Sequence, residues 1–281
     1  MTEKRKFYGM QNDYMFHAVL QKNEEVLRNL LATLLEMDEA DIVDCHLENP
    51  IELGKEIEGK ECILDVKLTL NNAKIINIEL QVYKQTYWVE RSLLYWARAF
   101  DSLKSGEDYS KLLPMYHIGI LDFTLFEEHP KFMGKYQLMD VEDQFLYSDK
   151  LCIKVLDLTQ LDAAKKQANI NKKLVKWASI FKAETLEELE QLANGEEVFE
   201  KMVVTMKKLS EDEKIRMQCE AREDYERCLL SEFNAGKREG EEIGEKRGRI
   251  AGKAEALTEL INNLMETQHI SEEEAKKMLK L

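Results

Sequence analysis

The spacing of apolar residues divides this chain into three regimes. From Asp13 to Leu35, Phe16, Val19, Leu20, Val26, Leu27, Leu30, Leu31, Leu34 and Leu35 recur at helical spacing, predicting one helix with Asp13 as its cap or first-turn acid. A strand is predicted within Asp41–Pro50, carrying Ile42, Val43 and Leu47, and Leu53–Lys60 with Gly54 and Gly59 reads as a turn. The period then drops to two. Cys62–Leu70 and Lys74–Val82 both alternate, and Asn71-Asn72-Ala73 between them predicts an antiparallel hairpin. A helix follows over Thr86–Lys104, stopped by Ser105-Gly106. Pro114 opens a strand over Met115–Phe123, with weaker strands over Lys135–Val141 and Leu151–Leu156. Beyond residue 160 the pattern is helical, with a stripe of Leu174, Trp177, Ala178 and Phe181. Thr185 to Glu188 and Ser210 to Glu213 fit capping boxes, Asn194-Gly195 is a stop, and Ser271 caps a last helix reaching Leu281. The predicted class is α/β: a mixed central sheet in an αβββαβ core, plus a C-terminal helical region.

The hairpin's register follows from its pattern. A slip of one residue would turn a whole apolar face to the wrong side, so opposed residues must have numbers with an even sum. A loop at 71–73 fixes that sum at 144, pairing Leu70 with Lys74, Leu68 with Ile76, Val66 with Ile78 and Leu64 with Leu80. It also sets Asp65 opposite Glu79, with Cβ atoms roughly 4.5–5.5 Å apart. Like charges so placed destabilise a sheet unless a cation, a proton or a basic side chain intervenes; the plain alternative is a solvated face with the carboxylates splayed into water. Asp65, Glu79 and Gln81 form an Asp-x13-Glu-x-Gln arrangement suited to a hard divalent ion, for which the Leu80 carbonyl would supply a third oxygen.

Composition narrows the setting. Forty Lys+Arg against 54 Asp+Glu leave a net charge of −14, which argues against avid nonspecific nucleic-acid binding but leaves a local, metal-assisted contact open. No run of 18 apolar residues and no apolar stretch after Met1-Thr2-Glu3-Lys4-Arg5-Lys6 occurs, so no membrane span or secretory signal is expected, and a cytoplasmic protein is. The five cysteines lack CxxC spacing and read as free thiols, mostly in the core. His17, His46, His117 and His129 share no short spacing and read as structural.

The placement of Asp65 and of Glu79-Leu80-Gln81 resembles the PD-(D/E)XK nuclease superfamily. More narrowly, the chain resembles the recombination-promoting nuclease/transposase (Rpn) family. Asn12-Asp13-Tyr14-Met15-Phe16, Glu90-Arg91-Ser92-Leu93-Leu94-Tyr95 and Ser105-Gly106-Glu107-Asp108-Tyr109 carry that resemblance further, over residues 8–160. It implies a DNA endonuclease using Mg2+ or Mn2+, in a mobile-element or phage-defence setting. Asp65, Glu79 and the Leu80 carbonyl would then hold the metal, with Asp65, Glu79 and Gln81 as the catalytic set. Gln81 stands where many superfamily members have lysine and can only orient a ligand or water, which leaves the proton acceptor unidentified. Asp13 is either an outer ligand or a helix cap. Arg91 and Tyr95 either clamp a phosphate or pack the helix and neutralise Glu79, and Lys67 and Lys84 are the expected DNA contacts. The alternative function is a catalytically weak nucleic-acid-binding or regulatory protein on a nuclease scaffold.

Three segments are expected: a nuclease core at 1–160, a helical extension at 161–235 and a Gly-repeat tail at 236–281. In the tail Gly236, Gly240, Gly244, Gly248 and Gly252 are four apart, between charged triplets. Unpartnered, such glycines favour a flexible tail; as a ridge they let another helix approach, although it drifts about 40° per step. A homo-oligomer through this helical region is the expected partner arrangement.

Overall fold

The computed structural model describes residues 6–51, 53, 65–101, 103 and 105–280. The predicted Leu64–Leu80 pair, Cys62, Lys4-Arg5 and the Gly54 and Gly59 turn lie outside them. Packing divides the chain into two compact units, Met1–Asp224 and Tyr225–Leu281.

The first apolar stripe is two helices, α1 (Asp13–Lys22) and α2 (Glu24–Leu35), rather than one. Asn23 ends α1 and starts α2, its side chain accepting from Val26 N–H. A polar side chain that can cap thus breaks a stripe whose period continues through it. Asn12, not Asp13, caps α1, through Met15 N–H. The strand expected within Asp41–Pro50 shrinks to β1 (Cys45–Leu47), because Glu39–Asp41 forms a 3-10 turn and Val43 faces solvent.

The hairpin has the register derived from its pattern. In β2 (Val66–Leu70) and β3 (Lys74–Gln81), Leu70 pairs with Lys74, Leu68 with Ile76 and Val66 with Ile78. Asn71 and Asn72 both adopt φ of 50°, a left-handed geometry that asparagine tolerates better than most residues. Next comes α3 (Trp88–Phe100), shorter than the Thr86–Lys104 expected. It crosses over to β4 (Met115–Leu121), which lies parallel to β3. An antiparallel hairpin of β5 (Met133–Met139) and β6 (Leu146–Asp157) completes the sheet, with β6 parallel to β4. The strand order is β1-β2-β3-β4-β6-β5.

Even-numbered residues of β2 and β3 face a large apolar cluster. There Val66, Leu68, Ile76 and Ile78 meet α1, α2, α5 (Lys172–Lys182) and α7 (Glu197–Glu211). Between them in sequence lie α4 (Leu161–Lys165) and α6 (Leu186–Ala193). On the other side of the sheet, Trp88 of α3 packs with Leu121, Phe123, Ile153 and Val155. Gly119 makes that seat: a Cβ there would come within 2.3 Å of the Trp88 ring. Thr185 caps α6 through Glu188 N–H, but the Glu188 carboxylate accepts from Glu184 N–H, so the box does not close. Ser210 lies inside α7, and Asp212 caps the next helix instead of it.

That helix, α8, runs over Glu213–Gln268 and contains all five glycines of the repeat, so the flexible-tail reading does not hold. Glycine costs about 1 kcal/mol relative to alanine inside a helix, or about 5 kcal/mol for the five. The last helix, α9 (Glu272–Met278), has a complete capping box at Ser271 and ends before Leu281. Cys152 and Cys219 are buried, Cys45 is half-buried and Cys228 is exposed. Among the described residues no helix is long and apolar enough to cross a membrane.

Candidate active site

The odd-numbered face of β3 is polar in sequence yet closed in space. Glu79 is 0% exposed and Asn77 is buried, so the solvated-face reading fails for both. The cover is α3, which lays Arg91 and Tyr95 over the sheet. Arg91 Nη2 stands 2.9 Å from Glu79 Oε1, and its guanidinium lies 5.0 Å from the centre of the Tyr95 ring. Gln81 Nε2 donates to Glu79 Oε1 at 2.8 Å. Gln85, in the turn before α3, donates to Gln81 and accepts from Arg91 Nη1 at 3.1 Å. One carboxylate oxygen is thereby shared between an ion pair with Arg91 and a hydrogen bond from Gln81, which fixes its orientation.

The other Glu79 oxygen faces β4. His117, fully buried, places Nε2 3.3 Å from Glu79 Oε2, while Asn77 Nδ2 lies 3.3 Å from Nδ1. Trp88 and Tyr95 wall the imidazole in at 5.8 and 6.3 Å between ring centres.

Asp65 sits one residue before β2, next outward from the Val66–Ile78 pair and on the Glu79 side of the alternation. Its carboxyl is pushed up to about 8, first by burial and then by the negative charge of Glu79; Arg91 and a hydrogen bond from Asn77 pull the other way. Asn49 holds the Asp65 backbone, donating to its carbonyl at 2.6 Å and accepting from Lys67 N–H. The Leu80 carbonyl turns to the same side. Ile75 N–H donates to Pro114 and the Gln81 carbonyl accepts from Asp122 N–H, both towards β4. Alternation therefore directs the Leu80 carbonyl towards β2 and Asp65.

Asp13 is close enough to Asp65 for its charge to oppose ionisation there. Arg222 of α8 grips Asp13 through Nε at 3.1 and 3.0 Å and through Nη2. The two expected DNA contacts stand apart from this cluster: Lys67 pairs with Glu48 at 2.8 Å and Lys84 with Glu127 at 2.8 Å.

The structure thus gathers Asp65, Glu79, Leu80, Gln81, Arg91 and Tyr95, with Asp13 at the margin. It adds Asn77, Gln85, His117 and Arg222, which sequence reasoning missed. Asn77 was findable, being two residues before Glu79 on the same face. His117 depends on the parallel β3–β4 register, which no local pattern fixes, and Arg222 lies 209 residues from its partner.

Among the described residues no three His, Cys, Asp or Glu side chains cluster to hold a metal ion. The donor set is instead two carboxylates and a carbonyl. This suits Mg2+, which keeps several waters and needs few protein ligands. Burial first and then the charge of Glu79 raise the Asp65 carboxyl, and carboxylate and carbonyl oxygens are the ligand chemistry that such an ion takes.

A parallel-centred mixed sheet with acids at the end of a hairpin, covered by a helix bearing an arginine, defines a nuclease-type core. The family described as PD-(D/E)XK nuclease family transposase matches residues 10–233, and the chain belongs to it. Its activity class is therefore that of a nuclease or transposase, which implies a DNA substrate. No curated protein and no solved structure gives a match.

Proposed function

We propose that the protein is a Mg2+- or Mn2+-dependent DNA endonuclease acting on mobile or invading DNA. The observation that carries this reading is the Asp65–Glu79 pair, two acids that the β2–β3 register sets on one side of the sheet, where burial first and then the charge of Glu79 raise the Asp65 carboxyl. Asp65, Glu79 and the Leu80 carbonyl would hold the ion. When bound, the ion supplies a more acidic attacking water and offsets charge gathering on the scissile phosphate. The chain's own residues do the rest. Gln81 and Arg91 hold one oxygen of Glu79, so that this carboxylate meets the ion in one orientation. Gln81 has no basic nitrogen and serves as an orienting group, not as the proton acceptor. Arg91, about a fifth exposed, is able to leave Glu79 for a phosphate oxygen once an ion takes over the neutralisation. Tyr95 is the rail along which it stacks.

A second reading rests on a specific observation. Arg91 already supplies a cation to Glu79, and a scaffold that has replaced its metal in this way would bind nucleic acid without cutting it. Plasmid nicking separates the two. The endonuclease reading expects nicking with Mg2+ or Mn2+, none with EDTA, and a fall of at least about 100-fold in Asp65→Ala, the scale of losing an electrostatic stabiliser. Equal nicking by the variant refutes the site assignment. DNA binding without metal-dependent nicking establishes the second reading.

A further inference from the structure

The link from β3 to α3, residues 82–87, carries two large aromatic rings at the surface: Tyr87 is 73% exposed and Tyr83 40%. Tyr87 occupies the N-cap of α3, where Ser, Thr, Asp or Asn ordinarily closes the first turn, and its side chain makes no capping bond. The apolar anchor of the helix is its neighbour Trp88, so neither capping nor packing explains this tyrosine. Its position ties it to the active site. Gln85, between the two rings in the chain, donates to Gln81 and accepts from Arg91, which fastens the link to the network that orients Glu79. Tyr87, Arg91 and Tyr95 are spaced by four, and the Tyr87 carbonyl accepts from Arg91 N–H at 3.0 Å. They share one face of α3, with Tyr87 one turn, about 6 Å, nearer the helix start than Arg91.

We propose that Tyr87, with Tyr83 beside it in the link, is a stacking platform for an unpaired base, so that the preferred substrate is single-stranded or locally opened DNA. This rests on the nuclease reading above for the placing of the strand: Arg91 takes a phosphate and Tyr87 the base next to it. The charge balance favours such a contact. Lys84 is paired with Glu127 and Lys67 with Glu48, on a chain of net charge −14. Holding an intact duplex by its backbone draws on roughly six to ten phosphate contacts, for which these paired lysines are poorly suited. A base stacked on an aromatic ring needs no charge, and every base has a face to offer once its neighbour has left. Inside a duplex the neighbours lie about 3.4 Å above and below, so no face is open to a tyrosine. The hydrogen-bonded link and the helix start hold the Tyr87 backbone in place, so little freedom is lost when its ring takes a base.

Fluorescence anisotropy of the full chain tests this with cleavage-resistant phosphorothioate DNA, in Mg2+ and in EDTA. The probes are an oligothymidylate of about 20 nucleotides and a duplex of the same length. The single strand should bind at least about 10-fold more tightly than the duplex in both media, and Mg2+ should tighten both. Tyr87→Ala should weaken single-strand binding by about 5- to 100-fold and leave the duplex within about 2-fold, while Tyr87→Phe, which keeps the ring, should bind like the parent chain. Tyr109→Ala, which removes a ring 82% exposed in the turn after α3, should change neither. The two readings fail separately. A preference for the single strand with neither Mg2+ tightening nor plasmid nicking overturns the nuclease reading and upholds the platform. Mg2+ tightening with equal affinity for the two DNAs overturns the platform alone. A Tyr87→Ala variant that binds like the parent, a Tyr87→Phe variant that fails like the alanine, or no single-strand binding at about 100 micromolar also overturns it.

Discussion

The two faces of β3 are equally dry and opposite in character. Ile76 and Ile78 look into a cluster of aliphatic and aromatic side chains; Asn77 and Glu79, one residue away on the other face, look into a network of amides, an imidazole and a guanidinium. Burial on the first face is favourable side chain by side chain, since apolar area leaves water. Burial on the second is unfavourable for each group taken alone and is tolerated only because every charge has a partner. One strand therefore separates a region that holds the fold from a region that the fold has to hold.

The comparison is broken most severely from the apolar side. Ile78→Ala removes a fully buried side chain between the sheet and its helices and should cost about 2–5 kcal/mol. Urea denaturation measures it, and the midpoint should fall with an unchanged slope.

Both faces also bury a titratable ring, and they treat it differently. His117 lies among Asn77, Glu79, Trp88 and Tyr95, whereas burial lowers His17 of α1 from 6.5 to about 4, against hydrogen bonding with Asn49 that acts to raise it. Above pH 6.5 the folded and unfolded chains both leave His17 neutral. Between pH 6.5 and about 4 the unfolded chain takes up a proton that the folded chain refuses. Stability should therefore fall as pH falls through this window, by about 1.4 kcal/mol per unit and about 3 kcal/mol across it. Urea midpoints at pH 7, 6 and 5 should show a drop that His17→Leu reduces; an equal drop in the variant would exclude His17 as the source.

The polar face predicts the reverse of ordinary truncation. Asp65 keeps its proton to about pH 8 in the fold against 3.8 for an ordinary aspartate, so it lowers stability as pH rises through that interval. Asp65→Asn should raise Tm at pH 8 in EDTA. Added Mg2+ should raise the Tm of the parent chain, through binding to the folded state, and leave the variant unmoved. A variant that melts lower, or that responds equally to Mg2+, would show that Asp65 is not an acid waiting for a cation.

How much of this was legible in the sequence depends on the range of the forces involved. The β2–β3 register came from alternation and a three-residue turn, both local, and it placed Asp65 beside Glu79. The break at Asn23 was missed because a capping side chain acts at one residue while the apolar stripe runs through it. The buried pairing of Arg91 with Glu79 was one of two readings left open, because the choice depends on how α3 approaches the sheet, and Gly119, which seats Trp88, lies on a strand some forty residues further on. Asp13 looked like a cap because its partner, Arg222, is remote in the chain.

The smallest expected effect sharpens the contrast at the point where the two faces share a helix. Trp88 is an apolar anchor of α3, and Arg91, one turn further on, is the charged partner of Glu79. Gly119→Ala would put a methyl group 2.3 Å from the indole, so the ring must shift, at about 1–3 kcal/mol for overpacking. If α3 is a rigid lid, that shift moves Arg91 off Glu79 too, and nicking should change along with stability. The companion variant Trp88→Phe, whose smaller ring leaves room for the added methyl group, should then restore both in the double variant. If stability recovers and nicking does not, Arg91 is placed by its own stacking on Tyr95, and the polar network holds itself together without help from the apolar anchor beside it.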